Sequence, residues 1–466
     1  MAFVSFPTGL EAALQTNFLN REFEEGLDSI LAYRRMALQE TIPGRIGETL
    51  TRSRKGRTPP QIDPLSGAQI NANLDNSLSP QSYSVEQYTF TLNEYAGTQD
   101  INLMQELSGI ADQLVAGSRN NGVAGAQTLE RLAKLRLFAA YDTGNTFVRG
   151  DLGVPTTTQV YVDDIRGFQY VSVNGILTAV SAGNPMTVNE YATGASGVTQ
   201  TFAVTGTTAS ATNASFFPGS GGAGTTDGIS GYLTISGATS APVNGDAIIA
   251  SNAPTIIRPS GRMTTEELVG SDALTMGIIL DAVATLRNNG VPALSNGNYA
   301  CILDNSSLRA LFSDQQFAVL FAGSNRSQEY RSGDVFDLLG VTFIPTTEAY
   351  VQTPATNTGF SATSAISVTV RRPIVMGAEA MIQGNFEGLD MWLERQGVDA
   401  IGSTMLVDGV AQILRPPLDR LQEVTSLSWK WVGDFAIPTD LTATTDIIPT
   451  ASNALYKRAV VIEHAS

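Results

Sequence analysis

Residues 83–144 constrain the fold more than any other stretch. They open as YSVEQYTFTLNEYAG, in which Tyr88, Phe90 and Leu92 alternate with Gln87, Thr89, Thr91 and Asn93. A period of two marks a half-buried strand. A proline-free run follows from Asp100 to Tyr141. Leu103, Met104, Leu107, Ile110 and Leu114 fall at helical spacing, and so do Ala126, Leu129, Leu132, Ala133, Leu137 and Phe138. As one helix the run would span roughly 60 Å at about 1.5 Å per residue. Asn120-Asn121-Gly122 predicts a break, hence a short helix and then a long one. Glu130 and Lys134 stand in the favourable order for an exposed pair four residues apart. Gly144 is placed to cap the C-terminus. A long strand feeding a long helix is the expected skeleton.

The flanking segments are read from the same periodicities. Residues 8–41 read as an amphipathic helical arm, with Leu10, Leu14, Phe18, Phe23, Leu27, Ile30 and Leu31 as its stripe and Thr41-Ile42-Pro43-Gly44 as its stop. Arg45, Arg52, Arg54, Lys55 and Arg57 form the single basic cluster. It reads as a solvated loop, as an arm paired with an acidic neighbour, or as a contact with packaged nucleic acid. Residues 58–82 are polar and proline-rich, too poor in apolar side chains to make a core of their own. Joined to the 83–96 strand, they predict an extended hairpin arm.

From 154 to 260 the composition changes. Lysine is absent, Arg166 and Arg258 are the only cations, and QVYV, GFQYVSV, TQTFAVTG, GYLTISG and DAIIAS recur between turn signals. Such spacing predicts an all-β sandwich or barrel inserted into the chain. Helical patterning resumes at once: Thr264 to Glu267 has capping-box spacing, and Leu274, Ile278, Val283 and Leu286 follow as far as Asn289-Gly290-Val291-Pro292. NYACILDNSSLRALF reads as strand then helix, GDVFDLLGVTFIPTTE as a helical turn into a strand, and AISVTV, TSLSWKWVGDF and YKRAVVIE as strands, with Trp429 and Trp431 on one face.

Composition narrows the function. Charged residues are only 15% of the chain, against about 25% typically, which suggests a surface largely covered by partners. The formal net charge of −16 argues against sequence-independent nucleic-acid binding, which needs cations to displace counterions. Only four cations are lysine, and arginine suits bidentate, partly desolvated contacts better. No apolar run approaches the roughly 18 residues of a membrane span, and the N-terminus does not read as a signal peptide. One cysteine, Cys301, precludes an internal disulfide.

The usual catalytic constellations are missing. His464 is the only histidine and sits at the tail, which removes Ser-His-Asp, Cys-His and histidine-based zinc chemistry unless it reaches a cleft. Cys301 lies in an apolar strand pattern and reads as a core thiol. Gly219 to Gly224 matches G-x-G-x-x-G, but Pro218 precedes it and no helix follows, so it reads as a loop tip. Asp163-Asp164 is compatible with acid–base work on glycans or with calcium, but one adjacent pair is better read as a solvated turn. No catalytic residue, cofactor or metal is expected, and the chain does not read as an enzyme.

The order of these elements resembles the major capsid proteins of tailed double-stranded DNA bacteriophages, the Hong Kong 97-like fold. The resemblance implies an α+β chain with an N-terminal arm at 1–57, an extension loop at 58–98 and a peripheral domain with spine helix at 99–153. It further implies an inserted all-β domain at 154–260, a mainly axial domain at 261–420 and a C-terminal return to the peripheral domain at 421–466. The spine helix would be about 123–143. The implied function is self-assembly into pentamers and hexamers of an icosahedral head enclosing DNA. Partners would be copies of the chain, a portal, and scaffolding or cement proteins, with DNA nearby but not tightly held. Assembly would take place in the host cytoplasm and the product would be the virion shell. Arg45, Arg52, Arg54, Lys55, Arg57, Tyr88, Phe90 and Leu92 are the expected inter-subunit contacts. The family's covalent cross-link uses an extension-loop lysine, and 58–98 has none, so no cross-linking is expected. The alternative is a phage tail or surface adhesin whose β domain binds glycans.

Overall fold

The computed structural model describes residues 21–27, 32–44, 47–64, 83, 85–102, 113–173, 176–195, 197–217, 228–323, 337–353, 368–388, 404–415, 424–441 and 447–465. The chain divides into two units. One comprises Met1–Thr51, Thr89–Lys134 and Met381–Ala436, the other Arg52–Tyr88, Leu135–Ala380 and Ile437–Ser466.

The first unit is built on the strand Val424–Ala436. One edge pairs antiparallel with Asn93–Asn102, from Gly433↔Asn93 to Val424↔Asn102. The other pairs with Val410–Arg415 and with Ile382–Phe386. Leu38–Ile42 adds to Ile382–Phe386 in parallel, so the expected arm helix ends before residue 38. The 83–97 strand is likewise longer than its pattern. After Leu92 it continues to Asn102, which makes Asp100 a strand residue and not the start of a helix. Residues 103–112, with Leu103, Met104, Leu107 and Ile110, lie outside the described residues.

The long helix runs Gln113–Tyr141, about 43 Å at about 1.5 Å per residue. It passes unbroken through Asn120-Asn121-Gly122. The reason is tertiary. Ser118 Oγ accepts from Gln412 Nε2 at 2.7 Å, Asn121 Nδ2 donates to the Leu427 carbonyl at 3.0 Å, and a Cβ on Gly125 would touch Trp429 at 3.5 Å. These small and polar residues recur every three or four positions and seat the helix on the face that Trp429 and Trp431 share. Gly122 serves a different neighbour, the helical turn at 21–27. A Cβ there would lie 2.4 Å from the Phe23 carbonyl oxygen, and one on Gly26 would lie 2.5 Å from that of Arg119. Two glycines facing each other let the backbones meet, so a sequence that reads as a helix breaker is a crossing point.

Glu130 corrects a second expectation. It is fully buried, as Lys134 nearly is, so they are not an exposed pair. The Glu130 carboxylate accepts the backbone N–H groups of Ala32, Tyr33 and Arg34 at 2.8, 2.7 and 3.1 Å. It thereby satisfies the orphan donors of the turn Arg34–Met36.

The second unit holds two six-stranded sheets, and two smaller ones at Val351–Gln352/Val370–Arg371/His464–Ala465 and Tyr170–Val173/Ile176–Ala179. The strands Asn145–Phe147, Ala247–Ala250, Met186–Tyr191, Gln200–Ala209, Gly231–Ser236 and Gln159–Val162 pair antiparallel in that order. The bridge Val148↔Val162 joins the first to the last, so the sheet closes into a barrel. Val160, Val162, Val188, Phe202, Val204, Leu233, Ile235 and Ile248 fill it. The named strand motifs form strands between the turn signals that bracket them. The barrel starts at Asn145, earlier than the composition change at 154.

The other six-stranded sheet is mixed: Ile256–Ile257, Ala459–Ile462, Ile374–Met376, Tyr299–Leu303, Val341–Pro345 and Asp337–Leu338. Tyr299–Leu303 is buried throughout and leads through Asp304 into the helix Asn305–Ser313. Asp304 caps that helix by accepting from Ser306 and Ser307 N–H groups. The helix Met276–Asn288 packs Ile279, Val283 and Leu286 against Cys301, Phe343 and Val460.

Local details differ from the sequence patterns here. Thr264–Glu267 does not cap a long helix: Thr265–Glu267 is a short 3-10 turn, and the helix begins at Met276, whose N–H goes to Asp314. Asp337-Leu338 pairs back on Val341–Pro345 as a hairpin through Leu339 and Gly340, both at positive φ, while residues 333–336 of the expected helical turn lie outside the described residues. The strand Ala459–Ile462 belongs to this sheet, whereas Val424–Ala436 belongs to the first unit's.

Candidate assembly surface

Thr49–Lys55 and Val85–Thr91 pair with each other as a two-stranded ribbon, and among the described residues neither pairs with a third strand. The basic cluster at 45–57 is therefore largely strand, not loop. Alternation sorts its side chains: Leu50, Arg52 and Arg54 are half-buried, while Thr49, Thr51, Ser53 and Lys55 are exposed. On the partner strand Val85, Gln87, Thr89 and Thr91 face solvent. Phe90 is fully buried, against Gly384, where an added Cβ would lie 2.9 Å from its ring. That side chain packs within this chain and presents no exposed surface. Tyr88 and Leu92 are half-buried. Arg45 lies outside the described residues, as do 65–82.

The cations at the ribbon's end are each held. Arg54 Nη2 is 3.5 Å from Glu379, Lys55 Nζ sits 5.3 Å from the Tyr83 ring centroid, and Arg57 Nη2 donates to the Gly290 carbonyl at 3.1 Å. Gly290 ends the helix Met276–Asn288 with φ of 67°, and a carbonyl there attracts a cation. Arg54, Lys55, Arg57 and Arg458 line a cavity of about 50 Å³ together with Glu86 and Asp440. Burial pushes the Glu86 carboxyl up to about 7; Asp440 adds to this, while the Leu441 N–H, Arg54 and Lys457 oppose it.

With that geometry in view, the comparisons with known proteins can be set beside it. No known family matches the chain by its sequence, and no curated protein matches it. Solved structures do. The chain is similar to the capsid of Ralstonia phage GP4, at 9% identity, covering 92% of this chain and 87% of that one, with a TM-score of 0.49. It is similar to the cyanophage Pam1 capsid asymmetric unit, at 10% identity, covering 94% of each, with a TM-score of 0.44. The cyanophage P-SCSP1u capsid is similar at 10% identity, over 93% of this chain and 88% of that one, with a TM-score of 0.44.

The second unit also contains buried charges that no motif announced. Arg372 Nε lies 2.9 Å from Asp142 and 2.8 Å from Glu463, and Arg258 Nε lies 2.6 Å from Glu463. Arg372 also donates to Gln352 at 2.8 Å, and Thr265 to Glu463 at 2.8 Å. Burial and the nearby Glu463 charge push Asp142 up. Burial pushes Glu463 up as well, and Arg258 with Arg372 outweigh it and hold that carboxyl down. Beside this network, Asp163 takes Arg149 at 2.6 Å and Asp164 takes Arg166 at 2.6 Å. The Asp163-Asp164 pair is therefore buried and ion-paired, not a solvated turn. The one legible signal was the isolation of Arg166 and Arg258 in a stretch otherwise without cations.

The remaining candidates are structural. Cys301 is fully buried, and burial pushes its thiol up to about 12. His464 is buried with Nε2 2.7 Å from Ser307 Oγ, and Ser307 in turn bonds Asp304. The chain of contacts runs Asp–Ser–His, so the carboxylate orients the hydroxyl and not the imidazole. Ser307 has no exposed surface, which bars it from attacking a substrate. No three metal-ligating side chains cluster among the described residues, and no described helix is long and apolar enough to cross a membrane. The 218–227 loop with its glycines lies outside the described residues.

Proposed function

We propose that this chain is the major capsid protein of a tailed double-stranded DNA bacteriophage. Its copies form pentamers and hexamers of an icosahedral shell in the host cytoplasm, with portal, scaffolding and cement proteins as further partners. The ribbon Thr49–Lys55 with Val85–Thr91 is the root of the extension loop. Gln113–Tyr141 is the spine helix, the barrel is the inserted β domain, and the sheet around Tyr299–Leu303 belongs to the axial domain.

The observation that carries this reading is the ribbon. Isolated two-stranded hairpins are marginal in water. This one has a polar outer face, unpaired outer edges among the described residues, and a proline-rich connection with no core of its own. A segment of that kind gains order by lying on another molecule. Arg52, Arg54, Lys55, Arg57, Tyr88 and Leu92 are the side chains best placed to meet it; Arg45, outside the described residues, joins them from the sequence alone. The low charged fraction and net acidity suit a shell that buries surface against copies of itself without gripping the DNA inside.

Deletion of residues 62–82 tests the proposal. The expected product is a folded subunit, by melting and circular dichroism, that builds no stable shells under electron microscopy. Normal shells from the deletion variant would sink the assignment of the arm. An intact chain that stays a monodisperse monomer beside its scaffolding partner would sink the capsid reading itself.

A further inference from the structure

We propose that the cavity bounded by Arg54, Lys55, Arg57 and Arg458 is an oxyanion site, and that its occupant is an aspartate or glutamate side chain of a second copy of this chain. The choice of occupant rests on the capsid reading; the site itself does not.

Among the described residues, the charges around the cavity do not balance. Arg458 is buried to 5% side-chain exposure, and its Nη1 meets the Ala378 carbonyl at 2.9 Å and Glu379 at 2.8 Å. Its Nε has no hydrogen-bond partner. Glu379 is shared, because Arg54 depends on the same Oε2 at 3.5 Å. Arg57 gives one N–H to Gly290, and its guanidinium remains exposed. Lys457 and Asp440 offset each other. That leaves four cations against Glu379 and Glu86, and the buried Glu86 is only partly ionised near neutrality. A surplus of positive charge at one point of a chain with net charge −16 is a receptor for an anion.

The occupant follows from size and supply. Arginine forks bind carboxylate oxygens two at a time. About 50 Å³ admits the head of a carboxylate side chain, whereas a phosphodiester carries a sugar on either side. A second copy brings 44 acidic residues against 28 basic ones, while the overall acidity repels a polyanion such as DNA.

Glu86 supplies a distinctive test. It faces Asp440, Arg54 and Lys457, and shares the cavity with Lys55, Arg57 and Arg458. An incoming anion disfavours its ionised form, so binding and protonation of Glu86 support each other. Affinity must weaken as pH rises through about 7. Sulfate is the probe, since it does not titrate in this range. Melting of the unassembled full chain is compared in sulfate and in chloride of equal ionic strength, at pH values on either side of Glu86's. Sulfate should raise the melting temperature more on the acid side. Arg57→Gln, at an exposed position, should remove most of the shift, and Glu86→Gln should keep it at both pH values. Arg57→Gln should also raise the concentration needed for self-association, by sedimentation velocity, about tenfold or more, as for a lost charge-assisted hydrogen bond. Absence of a sulfate-specific shift overturns the site. A shift with unaltered self-association overturns the second copy as occupant.

Discussion

The crossing of the 21–27 turn over the long helix predicts opposite outcomes for two neighbouring glycines. Alanine in place of glycine inside a helix gains about 0.8–1 kcal/mol from propensity alone. At Gly125 the new methyl would meet the Trp429 ring at 3.5 Å, ordinary contact distance, so Gly125→Ala should stabilise the protein by up to about 1 kcal/mol. At Gly122 it would stand 2.4 Å from the Phe23 carbonyl oxygen and 3.1 Å from the Leu27 nitrogen. Those are backbone atoms, which no rotamer change can withdraw. Overpacking of this kind costs about 1–3 kcal/mol. The short separation places Gly122→Ala at the upper end, for a net loss of about 2 kcal/mol after the propensity gain. The two variants should therefore differ by about 3 kcal/mol although they lie one helical turn apart. Urea unfolding of the unassembled subunit, read by tryptophan fluorescence, measures this, because Trp429 lies beneath the helix. Gly122→Ala at or above wild-type stability would refute the crossing and restore the reading of Asn120-Asn121-Gly122 as a relaxed break.

Other perturbations act on buried polar groups. Glu130→Ala strands the N–H groups of Ala32, Tyr33 and Arg34 and should cost about 2–3 kcal/mol or more in the same titration; a loss below half that would show that water replaces the carboxylate. Asp163→Asn leaves the Arg149 guanidinium short of one charge partner at 1% exposure, and should lower the melting temperature by the equivalent of about 3 kcal/mol, with the barrel's near-ultraviolet signal lost first. Cys301 should resist iodoacetamide in the folded chain, because its thiol is buried and pushed up to about 12, and should react fully in denaturant; rapid native alkylation would contradict its place in the core.

What was legible in the sequence was short-range. The barrel strands Gln159–Val162, Gln200–Ala209 and Gly231–Ser236 were readable because burial alternates along them, and period two reports that directly; Ala247–Ala250, buried almost throughout, was readable from the turn signals around it. Tyr299–Leu303 into Asn305–Ser313 was readable because Asp304 is a helix N-cap whatever surrounds it. Leu38–Ile42 was not, since its partner Ile382–Phe386 lies far along the chain and its own apolar pattern continues that of the arm. Of the expected contact residues, Phe90 shows the same limit: alternation assigns it to a face, and only packing against Gly384 says which molecule owns that face.

The sequence by itself determined the barrel strands, the strand–helix unit at 299–313 and the acidic, lysine-poor composition, because composition and periodicity are local quantities. The tertiary structure decided the use of its ambiguous residues. Asn120-Asn121-Gly122 and Glu130 carry unfavourable or neutral local preferences that distant backbone groups override, one by close approach and the other by three hydrogen bonds. The buried arginines were invisible for the same reason. Arg372 becomes a core residue only when Asp142 and Glu463 are brought to it from other parts of the chain, and Arg149 only when Asp163 is brought beside it, whereas Arg166 pairs with Asp164 two residues away; the desolvation of each charge is offset only in the folded geometry.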